Sequence, residues 1–349
     1  GMCPETESAS PPARLAVLGA GAWGSVLAWL LARRGHRVAL WMRDGAQASR
    51  WAADRRDPKG RAPVDLPDGV DPTASLSHAL DGAEGVFLVV PNAGLDALLT
   101  EVAPALPTGT PLVSCSKGLF APDLTRPSRR AERAFPASPV AVLSGPNLAG
   151  EIAAGLPAAA TVAGRAPGVA PRVQNWLTSE RFRVYTAEDA IGVEVAGAYK
   201  NVIALAAGMT DALGLGENAK AALITRGLAE MVRLGRHLGG QERTFYGLAG
   251  VGDLVATCAS GRSRNHAAGE RLAGGESVAA LRADGLTAEG LGIVQAVDDY
   301  AERHGLALPI AEQVAAVAYR GRPAAGALAA LLARDPRGEF DPANGQTRG

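Results

Sequence analysis

The feature that most constrains the fold of this 349-residue chain is an apolar run that leads directly into a glycine-rich turn. Arg14–Leu18 has the composition of a buried strand, residues 19–24 have the sequence GAGAWG, and Ser25–Arg34 has apolar residues at helical spacing. Strand, GxGxxG turn and helix in this order form the context that a dinucleotide-binding fingerprint requires. We therefore predict that the fold begins as a Rossmann-type unit and binds NAD or NADP.

Each glycine of this turn has its own physical role. Gly19 permits the tight turn, Gly21 lets the backbone approach a pyrophosphate, and Gly24 lets the helix pack closely on the strand. The N-terminus of the helix then offers free N–H groups and a favourable dipole to the phosphates. These positions are the first predicted cofactor contacts.

Apolar strands and helices alternate along the first half of the chain. This alternation predicts an α/β fold with a Rossmann-type, doubly wound parallel sheet, in which ligands bind beyond the carboxyl ends of the strands. Trp51–Asp71 is rich in Arg, Asp and Pro, which predicts a loop or a short crossover. The later strands are predicted at His36–Met42, Gly85–Val90, Pro111–Ser114, Val140–Leu143, Ala158–Val162 and Arg181–Tyr185, and helices at Leu95–Leu106 and Val169–Leu177.

The alternation ends near residue 188, and only helical spacing follows. This change predicts an NAD(P)-binding Rossmann domain over residues 13–187 and a second, all-helical substrate and catalytic domain over residues 188–335. Residues 1–12 are predicted to be a disordered tail and residues 336–349 a flexible one. The helices are predicted at Glu188–Met209, Asn218–Leu238, Gly261–Ala273, Val278–Ala283, Ile293–His304, Ile310–Tyr319 and Pro323–Ala333.

Charge and cysteine content argue against several classes of protein. Lys and Arg total 35 and Asp and Glu total 35, so no strong attraction to nucleic acid or to an anionic membrane surface is expected. Cys3, Cys115 and Cys258 form neither a CxxC nor a Cys/His spacing, which argues against a disulfide framework and a metal site. No secretory signal and no apolar run of membrane-spanning length is recognised. These observations predict a reducing, cytoplasmic location.

Val193–Met209 is predicted to be a helix that is apolar on nearly every side, and such a helix belongs in a core. It nevertheless carries Lys200 and Asn201 in its middle. A buried lysine is costly unless it is paired or neutralised, so Lys200 is a candidate for chemistry. The alternative is a lysine whose side chain extends to the surface at a helix edge.

Polar residues that follow the predicted strands are further candidates. Arg43 stands where an acidic residue would bind the ribose of NAD, so it can stack on the adenine and pair with the 2′-phosphate of NADP. The alternative is a solvated surface arginine, and Asp44 beside it keeps NAD open. Lys117 directly follows a strand, where an ammonium can meet cofactor or substrate. Asn147 lies in a turn whose backbone N–H groups and Asn147 side chain can hold a polar ligand. Taken separately, the stretches at Lys117 and Asn147 could each also be a plain turn.

Several long stretches together resemble one family, the bacterial type of NAD(P)-dependent sn-glycerol-3-phosphate dehydrogenases. The resemblance extends from about Leu15 to Arg322, and it implies reversible hydride transfer between sn-glycerol 3-phosphate and dihydroxyacetone phosphate. The stretches that carry it are GAGAWG (19–24), SKG (116–118), SGPNLAGEIAAGLP (144–157), VYTAEDAIGVEVAGAYKNVIALAAG (184–208), LGLGENAKAALITRGLAEM (213–231), FYGLAGVGDLVATC (245–258) and SRN (263–265).

The resemblance implies that Lys200 is the general acid–base. An unperturbed lysine has a pKa of about 10.4, and burial with a neighbouring cation such as Lys117 would lower it toward about 7–8. Asp253 would orient Lys200 and oppose that lowering, and the residues alone leave the balance open; by itself Asp253 could also be a helix N-cap or an Asx turn. Asn201 and Thr257 are implied neighbours, and Thr257 would share a helical face with Asp253.

The resemblance also implies contacts to the substrate phosphate and to the cofactor. Ser263, Arg264 and Asn265 match the phosphate-binding residues, with Arg264 able to bind in a fork and Ser263 also suited to a helix N-cap. Lys117 is implied to be catalytic as well, polarising the carbonyl oxygen. The implied substrate contacts further include Gly145, Asn147, Lys117, Lys200, Asn201, Asp253 and Thr257, and the implied cofactor contacts are Gly19, Gly21, Ala22, Trp23, Gly24, Arg43, Lys117, Ala149, Arg264 and Glu289.

Three departures from the family pattern bear on the implied contacts to substrate and cofactor. Asn147 stands where Ser or Thr is common, Ala22 stands where a polar residue is common, and an arginine often found near Leu291–Gly292 is absent.

Two other functions compete with this interpretation. One is that of another two-domain dehydrogenase, of the 3-hydroxyacid or 6-phosphogluconate type, which gives no reason for GVGDL followed by SRN. Another is a non-catalytic dinucleotide-binding regulator. The resemblance further implies a homodimer that supplies glycerol phosphate for phospholipids.

Overall fold

The computed structural model describes residues 11–259 and 263–332. By its internal packing the chain forms two compact units. Within the described residues, unit 1 comprises residues 11–116, 128–143 and 147–188, and unit 2 comprises residues 117–127, 144–146 and 189–332. The tails predicted at 1–12 and 336–349 lie outside the described residues, except for residues 11 and 12. The predicted assignment of a function to each domain stays a prediction.

Unit 1 is built on one eight-stranded sheet, with the strand order β3-β2-β1-β4-β5-β6-β7-β8. The pairs β1–β2, β2–β3, β1–β4, β4–β5, β5–β6 and β7–β8 are parallel. The predicted α/β class with a doubly wound parallel sheet is confirmed. The strands are β1 (Arg14–Leu18), β2 (Arg37–Trp41), β3 (Val70–Thr73), β4 (Gly85–Leu88), β5 (Leu112–Ser114), β6 (Val140–Ser144), β7 (Ala158–Ala163) and β8 (Phe182–Ala187).

The register of the sheet brings the carboxyl ends of its central strands level. Leu18 at the end of β1 lies opposite Trp41 on one side and Leu88 on the other. The loops that follow these strands therefore leave the sheet at one edge, which is where parallel sheets bind ligands. The turn at Gly19 and the residue Arg43 both lie at this edge.

The segment Trp51–Asp71, predicted to be a loop or a short crossover, has no helix or strand over residues 55–69 and differs from the prediction only at its two ends. Its first residues belong to a helix, Gly45–Asp54, and its last residues begin the strand Val70–Thr73. The strand contains a proline, which weakens a strand prediction, but it lies at the edge of the sheet, where proline is tolerated. The helices of unit 1 are α1 (Ala22–Arg33), α2 (Gly45–Asp54), α3 (Leu76–Leu80), α4 (Leu95–Val102), α5 (Pro127–Ala134), α6 (Ala149–Ala153) and α7 (Val169–Leu177).

Unit 2 is helical in its described residues and is organised around one long helix, α8. Every residue of this helix from Ile191 to Thr210 is buried. Its start is fixed by Asp189, whose carboxylate accepts hydrogen bonds from the N–H of Gly192 at 2.9 Å, the N–H of Gln241 at 2.8 Å and the hydroxyl of Thr244 at 2.6 Å. The helices are α8 (Ala190–Ala212), α9 (Gly216–His237), α10 (Glu242–Phe245), α11 (Asp253–Ala259), α12 (Arg264–Ala273), α13 (Val278–Ala283), α14 (Glu289–His304), α15 (Pro309–Tyr319) and α16 (Ala324–Leu332).

Helix α8 is long and apolar enough to cross a membrane by length and composition alone. The expectation that no stretch reaches this length was therefore wrong. However, 89% of its most apolar window is buried inside the protein, and helices α9, α12 and α14 pack against it. This burial is typical of a core helix, and it is the setting in which Lys200 must be understood.

Candidate active site

The side chain of Lys200 is buried in unit 2 and is held by two hydrogen bonds. It is 9% exposed, and its Nζ donates to Oδ1 of Asp253 at 2.5 Å and to Oγ1 of Thr257 at 2.7 Å. A lysine that extends to the surface would show neither this burial nor these partners, so that alternative is wrong. The helix instead places an ammonium in an apolar core with one carboxylate to balance it.

Asp253 bridges Lys200 and a second lysine. Its Oδ2 accepts from Nζ of Lys117 at 2.6 Å, and the Lys117 ammonium also lies 3.5 Å from the carbonyl oxygen of Gly145. Helix α11 begins at Asp253, and Thr257 four residues later lies on the same face, with its hydroxyl 3.4 Å from Oδ1. The expected helical turn is thus confirmed, and the carboxylate engages two cations.

The pKa of Lys200 shows which of the opposing effects prevails. Burial lowers this pKa most, the positive charge of Lys117 lowers it further, and Asp253 raises it; the result is a pKa of about 8. Burial acts to raise the pKa of Asp253, but the charges of Lys117 and Lys200 hold it below its ordinary value. Near neutral pH, Asp253 is therefore ionised and Lys200 is poised to exchange a proton.

The residues Ser263–Asn265 lie at the start of helix α12. The hydroxyl of Ser263 accepts from the N–H of His266 at 3.3 Å, which confirms its N-cap role. Arg264 is exposed and donates from Nη1 to the hydroxyl of Thr287 at 2.9 Å. Asn265 is buried, and its Oδ1 accepts from the N–H of Gly290 at 2.9 Å.

Gly290, which was not among the predicted site residues, lies where residues Ser263–Asn265 approach α8, the helix that carries Lys200. A Cβ at Gly290 would lie 2.8 Å from both the carbonyl oxygen of Asn201 and Oδ1 of Asn265, so only glycine lets the three helices meet here. Glu289 precedes it, and burial raises the pKa of this carboxyl while the charges of Arg264, Lys117 and Lys200 act to lower it. Glu289 therefore lies within electrostatic reach of all three cations of the site.

A second close approach that the predictions missed lies one turn before Lys200. A Cβ at Gly197 would come within 2.9 Å of Oγ of Ser144 and 3.6 Å of Cγ of Lys117. Ser144 Oγ is buried and has no hydrogen-bond partner among the described residues. The available signal was a glycine one turn before a buried lysine, but its neighbours are distant in sequence.

The glycine-rich turn of unit 1 has the geometry that a dinucleotide fingerprint needs. Gly19 has a φ of +123°, and a Cβ there would lie 2.1 Å from the carbonyl oxygen of Val89. A Cβ at Gly24 would lie 1.8 Å from the carbonyl oxygen of Gly19, so close packing of helix and strand requires this glycine. A Cβ at Gly21 meets no protein atom within 4 Å, so the packing of unit 1 does not explain that glycine.

These three positions fit the cofactor. Gly21 is the N-cap of α1 and provides no side-chain cap, which leaves the first N–H groups of the helix to a ligand such as a pyrophosphate. Ala22 at the start of α1 is exposed, and the half-buried Trp23 packs its ring 6.3 Å from that of Phe182.

The other predicted residues of unit 1 have specific partners. Arg43 is exposed and forms an ion pair with Glu101 at 3.5 Å. Asp44 caps α2 by accepting from the N–H of Gln47 at 3.0 Å, so its carboxylate is already engaged. The amide of Asn147 donates to the carbonyl oxygen of Ala159 at 3.0 Å, and Ala149 is the first residue of α6.

Comparison with known proteins agrees with both units. The family described as the N-terminus of NAD-dependent glycerol-3-phosphate dehydrogenase matches residues 14–170, and its C-terminus matches residues 189–329. The chain belongs to this family. It is similar to glycerol-3-phosphate dehydrogenase [NAD(P)+] of Thermus thermophilus, at 48% identity over 93% of this chain and 100% of the relative, and to that of Deinococcus radiodurans, at 48% identity over 94% and 97%.

Solved structures of family members have the same fold. The glycerol-3-phosphate dehydrogenase of Coxiella burnetii is 35% identical and covers 93% of this chain and 99% of its own, with a TM-score of 0.87. GPD1 from Saccharomyces cerevisiae is 25% identical over 93% of this chain and 100% of its own, with a TM-score of 0.81.

Proposed function

We propose that Lys200 is the general acid–base of an NAD(P)-dependent glycerol-3-phosphate dehydrogenase, which interconverts sn-glycerol 3-phosphate and dihydroxyacetone phosphate. The family assigns the chain to the oxidoreductases that act on a CH–OH group with NAD(P). The observation that carries the role of Lys200 is its buried contact with Asp253 and Thr257, together with a pKa of about 8. General acid–base groups work best with a pKa near the operating pH.

Oxidation of the secondary alcohol removes a hydride from carbon and a proton from oxygen. When bound, NAD(P) would supply the chemistry that accepts this hydride, and in the opposite direction its reduced form would provide it. Neutral Lys200 takes the hydroxyl proton at Nζ, and protonated Lys200 returns it to the oxygen during reduction. Asp253 orients the amine and is ionised throughout, so it compensates the positive charge that forms on Lys200.

Lys117 contributes a fixed positive charge beside the acid–base group. Asp253 holds Lys117 through a hydrogen bond of 2.6 Å between Oδ2 and Nζ. The ammonium of Lys117 can therefore stabilise negative charge that develops on the substrate oxygen. The same charge lowers the pKa of Lys200. Lys117 therefore serves both the substrate and the proton transfer.

The substrate phosphate is assigned to the group at the start of α12. Arg264 has a neutral hydroxyl as its hydrogen-bond partner, which a phosphate oxygen can replace with a gain in charge pairing. Asn265 and Ser263 keep backbone partners and add polar groups around the phosphate. Further substrate contacts are assigned to Gly145, Asn147, Asn201 and Thr257.

The cofactor pyrophosphate is assigned to the glycine turn and the N-terminus of α1, and further cofactor contacts are assigned to Trp23, Ala149 and Glu289. Arg43 is assigned to the 2′-phosphate of NADP. The exposed ion pair with Glu101 does not oppose this role, because exposed pairs contribute little and exchange partners readily.

The reaction is tested by following nicotinamide absorbance while the protein reduces dihydroxyacetone phosphate with NADH or NADPH. We expect turnover with at least one cofactor and none with 3-hydroxyacids or 6-phosphogluconate in the oxidative direction. Turnover of those substrates would favour another two-domain dehydrogenase. Cofactor binding without any turnover would favour the non-catalytic regulator.

Arg43→Ala should raise the KM for NADPH by about tenfold or more, because a charge-assisted contact to phosphate contributes about 1.5–3 kcal/mol. The KM for NADH should change little, since NADH lacks the 2′-phosphate. Steady-state kinetics with both cofactors measures the difference. Arg50→Ala is the matched control, because Arg50 is also exposed and donates to the carbonyl oxygen of Ala46 within its own helix, α2. Equal changes for both cofactors would rule out the 2′-phosphate contact.

We further propose that the enzyme acts as a homodimer in the cytoplasm, where it supplies glycerol phosphate for phospholipids. The thiols of Cys115 and Cys258 are both buried, and no disulfide is present among the described residues, which suits a reducing compartment. Light scattering coupled to size exclusion should give twice the chain mass, and a monomer mass at working concentrations would contradict the dimer.

A further inference from the structure

We propose that residues 117–127 form a positioning segment, in which an ion pair between Arg126 and Glu194 holds Lys117 in place against Asp253. The inference rests on the proposed function of Lys200. Arg126 and Glu194 are positioning residues in this proposal, because neither contacts the acid–base group directly.

The segment is part of unit 2, and a charged contact near each end holds it against other residues of that unit. At its first residue, Lys117 contacts Asp253 at 2.6 Å. Next to its last residue, Nε of Arg126 lies 3.0 Å from Oε2 of Glu194. The Glu194 side chain is 1% exposed and that of Arg126 is 18% exposed, so this pair is buried rather than a surface contact.

Between these two contacts the segment is closed and packed. Phe120 and Thr125 exchange two backbone hydrogen bonds at 2.9 and 3.1 Å. Leu119 and Leu124 belong to the apolar core of unit 2, at 5% and 2% exposed. Arg303 donates to the carbonyl oxygen of Pro122. The segment is therefore a compact loop whose two ends are tied to the helical core.

Leu124 adds a sign that the loop conformation is imposed. Its φ is +54°, in the left-handed region that a leucine rarely adopts and that costs conformational free energy. The surrounding contacts must supply that free energy, and burial of the leucine side chain is one of them. Strain of this kind concentrates at sites where a particular geometry is required.

Both anchors lead to the same helix. Glu194 and Lys200 lie six residues apart on α8, a rise of about 9 Å. Arg126 binds the first directly, and Lys117 reaches the second through Asp253. A buried ion pair contributes little more to stability than apolar side chains of similar size would. The position that the Arg126–Glu194 pair imposes on the segment therefore explains the pair better than a gain in stability does.

The position of Lys117 matters because its charge acts on the proton affinity of Lys200. The titratable and charged groups that face Lys200 in the described residues are Lys117 on the segment, Asp253 and Cys258 on α11, and Glu289 at the start of α14. Of these, Lys117 is the cation that lowers the pKa of Lys200. Withdrawal of Lys117 should therefore raise that pKa.

The test is the pH dependence of kcat/KM for glycerol 3-phosphate oxidation in Glu194→Gln. Wild type should titrate near the Lys200 pKa of about 8. The variant should titrate at a higher pH than wild type, because withdrawal of the Lys117 charge removes a like charge that lowers the pKa of Lys200. Arg126→Lys keeps a cation opposite Glu194, so the pH midpoint of kcat/KM in this variant should stay close to that of wild type. Asp298→Asn is the matched control. It removes a partly buried ion pair between Asp298 on α14 and Arg320, and it should leave the pH midpoint unchanged.

A double-variant comparison separates positioning from a purely structural role. In a Lys117→Met background, Glu194→Gln should produce no further shift, because the group that it positions is already gone. A shift that persists there, or a Glu194→Gln midpoint equal to wild type with only a lower melting temperature, would overturn the proposal.

A readout without turnover keeps the inference separate from the reaction itself. The rate at which acetic anhydride labels Lys200, followed by mass spectrometry across pH, reports the neutral fraction of that amine. The labelling midpoint should move upward in Glu194→Gln even if the assay chemistry is misassigned. Absence of turnover with a shifted labelling midpoint would reject the proposed function alone, and turnover with no shift in either readout would reject the positioning role alone.

Discussion

Lys200→Met should lower kcat for dihydroxyacetone phosphate reduction by about 100- to 10,000-fold, the range that general acid–base groups typically contribute. Methionine keeps the length and apolar stem of lysine but can neither donate nor accept the proton. The KM for the nicotinamide cofactor should change little, because Lys200 makes no predicted contact with it. Initial rates and cofactor titration by fluorescence measure the two quantities.

The fold should tolerate this substitution. It removes a buried charge, and Asp253 keeps Lys117 as its partner at 2.6 Å. Lys220→Met is the matched control, because Lys220 is also a lysine of unit 2 with carboxylate partners, Asp211 and Glu217. The control should keep near-wild-type kcat. A Lys200→Met enzyme within tenfold of wild type would leave the reaction standing and reject Lys200 as its acid–base.

The pH dependence in wild type follows from the same group. Oxidation needs the neutral amine, so its kcat/KM should rise with pH and level off above the Lys200 pKa of about 8. Reduction needs the ammonium, so its kcat/KM should fall as the pH passes the same value. Opposite slopes in the two directions, with one shared midpoint, would be lost in Lys200→Met.

The parts of this site that could be predicted from sequence depend on local pattern. The roles of Gly19 and Gly24 were predicted from a strand, a turn and a helix that are continuous in the chain. A Cβ would lie 2.1 Å from a backbone oxygen at Gly19 and 1.8 Å from one at Gly24. The core position of α8 was likewise evident from apolar residues on every face. Local geometry of this kind is encoded within a few residues.

The parts that were missed depend on partners distant in sequence. The strand Val70–Thr73, which begins at the end of the predicted loop, was missed because it contains a proline and is stable only at the edge of a sheet that forms from other segments. Gly290 is required by Asn201 and Asn265, which no spacing relates to it. The packing of residues 117–127 within unit 2 depends on Glu194 and Asp253, which are far along the chain. The balance at Lys200 also needed the structure, because it depends on how deeply the ammonium is buried.

Asp253→Asn should show the second large effect, because it leaves two close ammonium groups without their shared carboxylate. Removal of one partner from a buried ion pair typically costs about 3–5 kcal/mol. Part of that cost is avoidable here, since Lys200 has a pKa already lowered to about 8 and can lose its proton. The variant should therefore be destabilised and catalytically impaired at the same time.

The sign of its pH dependence distinguishes this explanation from a simple loss of packing. Without Asp253 the pKa of Lys200 falls further, while in the unfolded chain it stays near its usual value. Between those two values the unfolded state binds more protons, so the stability of the variant rises with pH and does so from a lower pH than in wild type. The difference in the free energy of unfolding between wild type and variant should thus be larger at pH 6 and shrink toward pH 8. Urea unfolding at both pH values measures this difference.

Catalysis by Asp253→Asn should change in a matching way. A lower pKa leaves less ammonium at neutral pH, so dihydroxyacetone phosphate reduction should lose about 100-fold or more, and the midpoint for oxidation should move to lower pH. Asp298→Asn, which removes a buried carboxylate paired with the single cation Arg320, should alter neither midpoint. A deficit in stability that is equal at pH 6 and pH 8, with the oxidation midpoint unmoved, would show that Asp253 does not govern the proton on Lys200. The pKa of Lys200 would then be set by burial and Lys117, without the raising effect that Asp253 is expected to have.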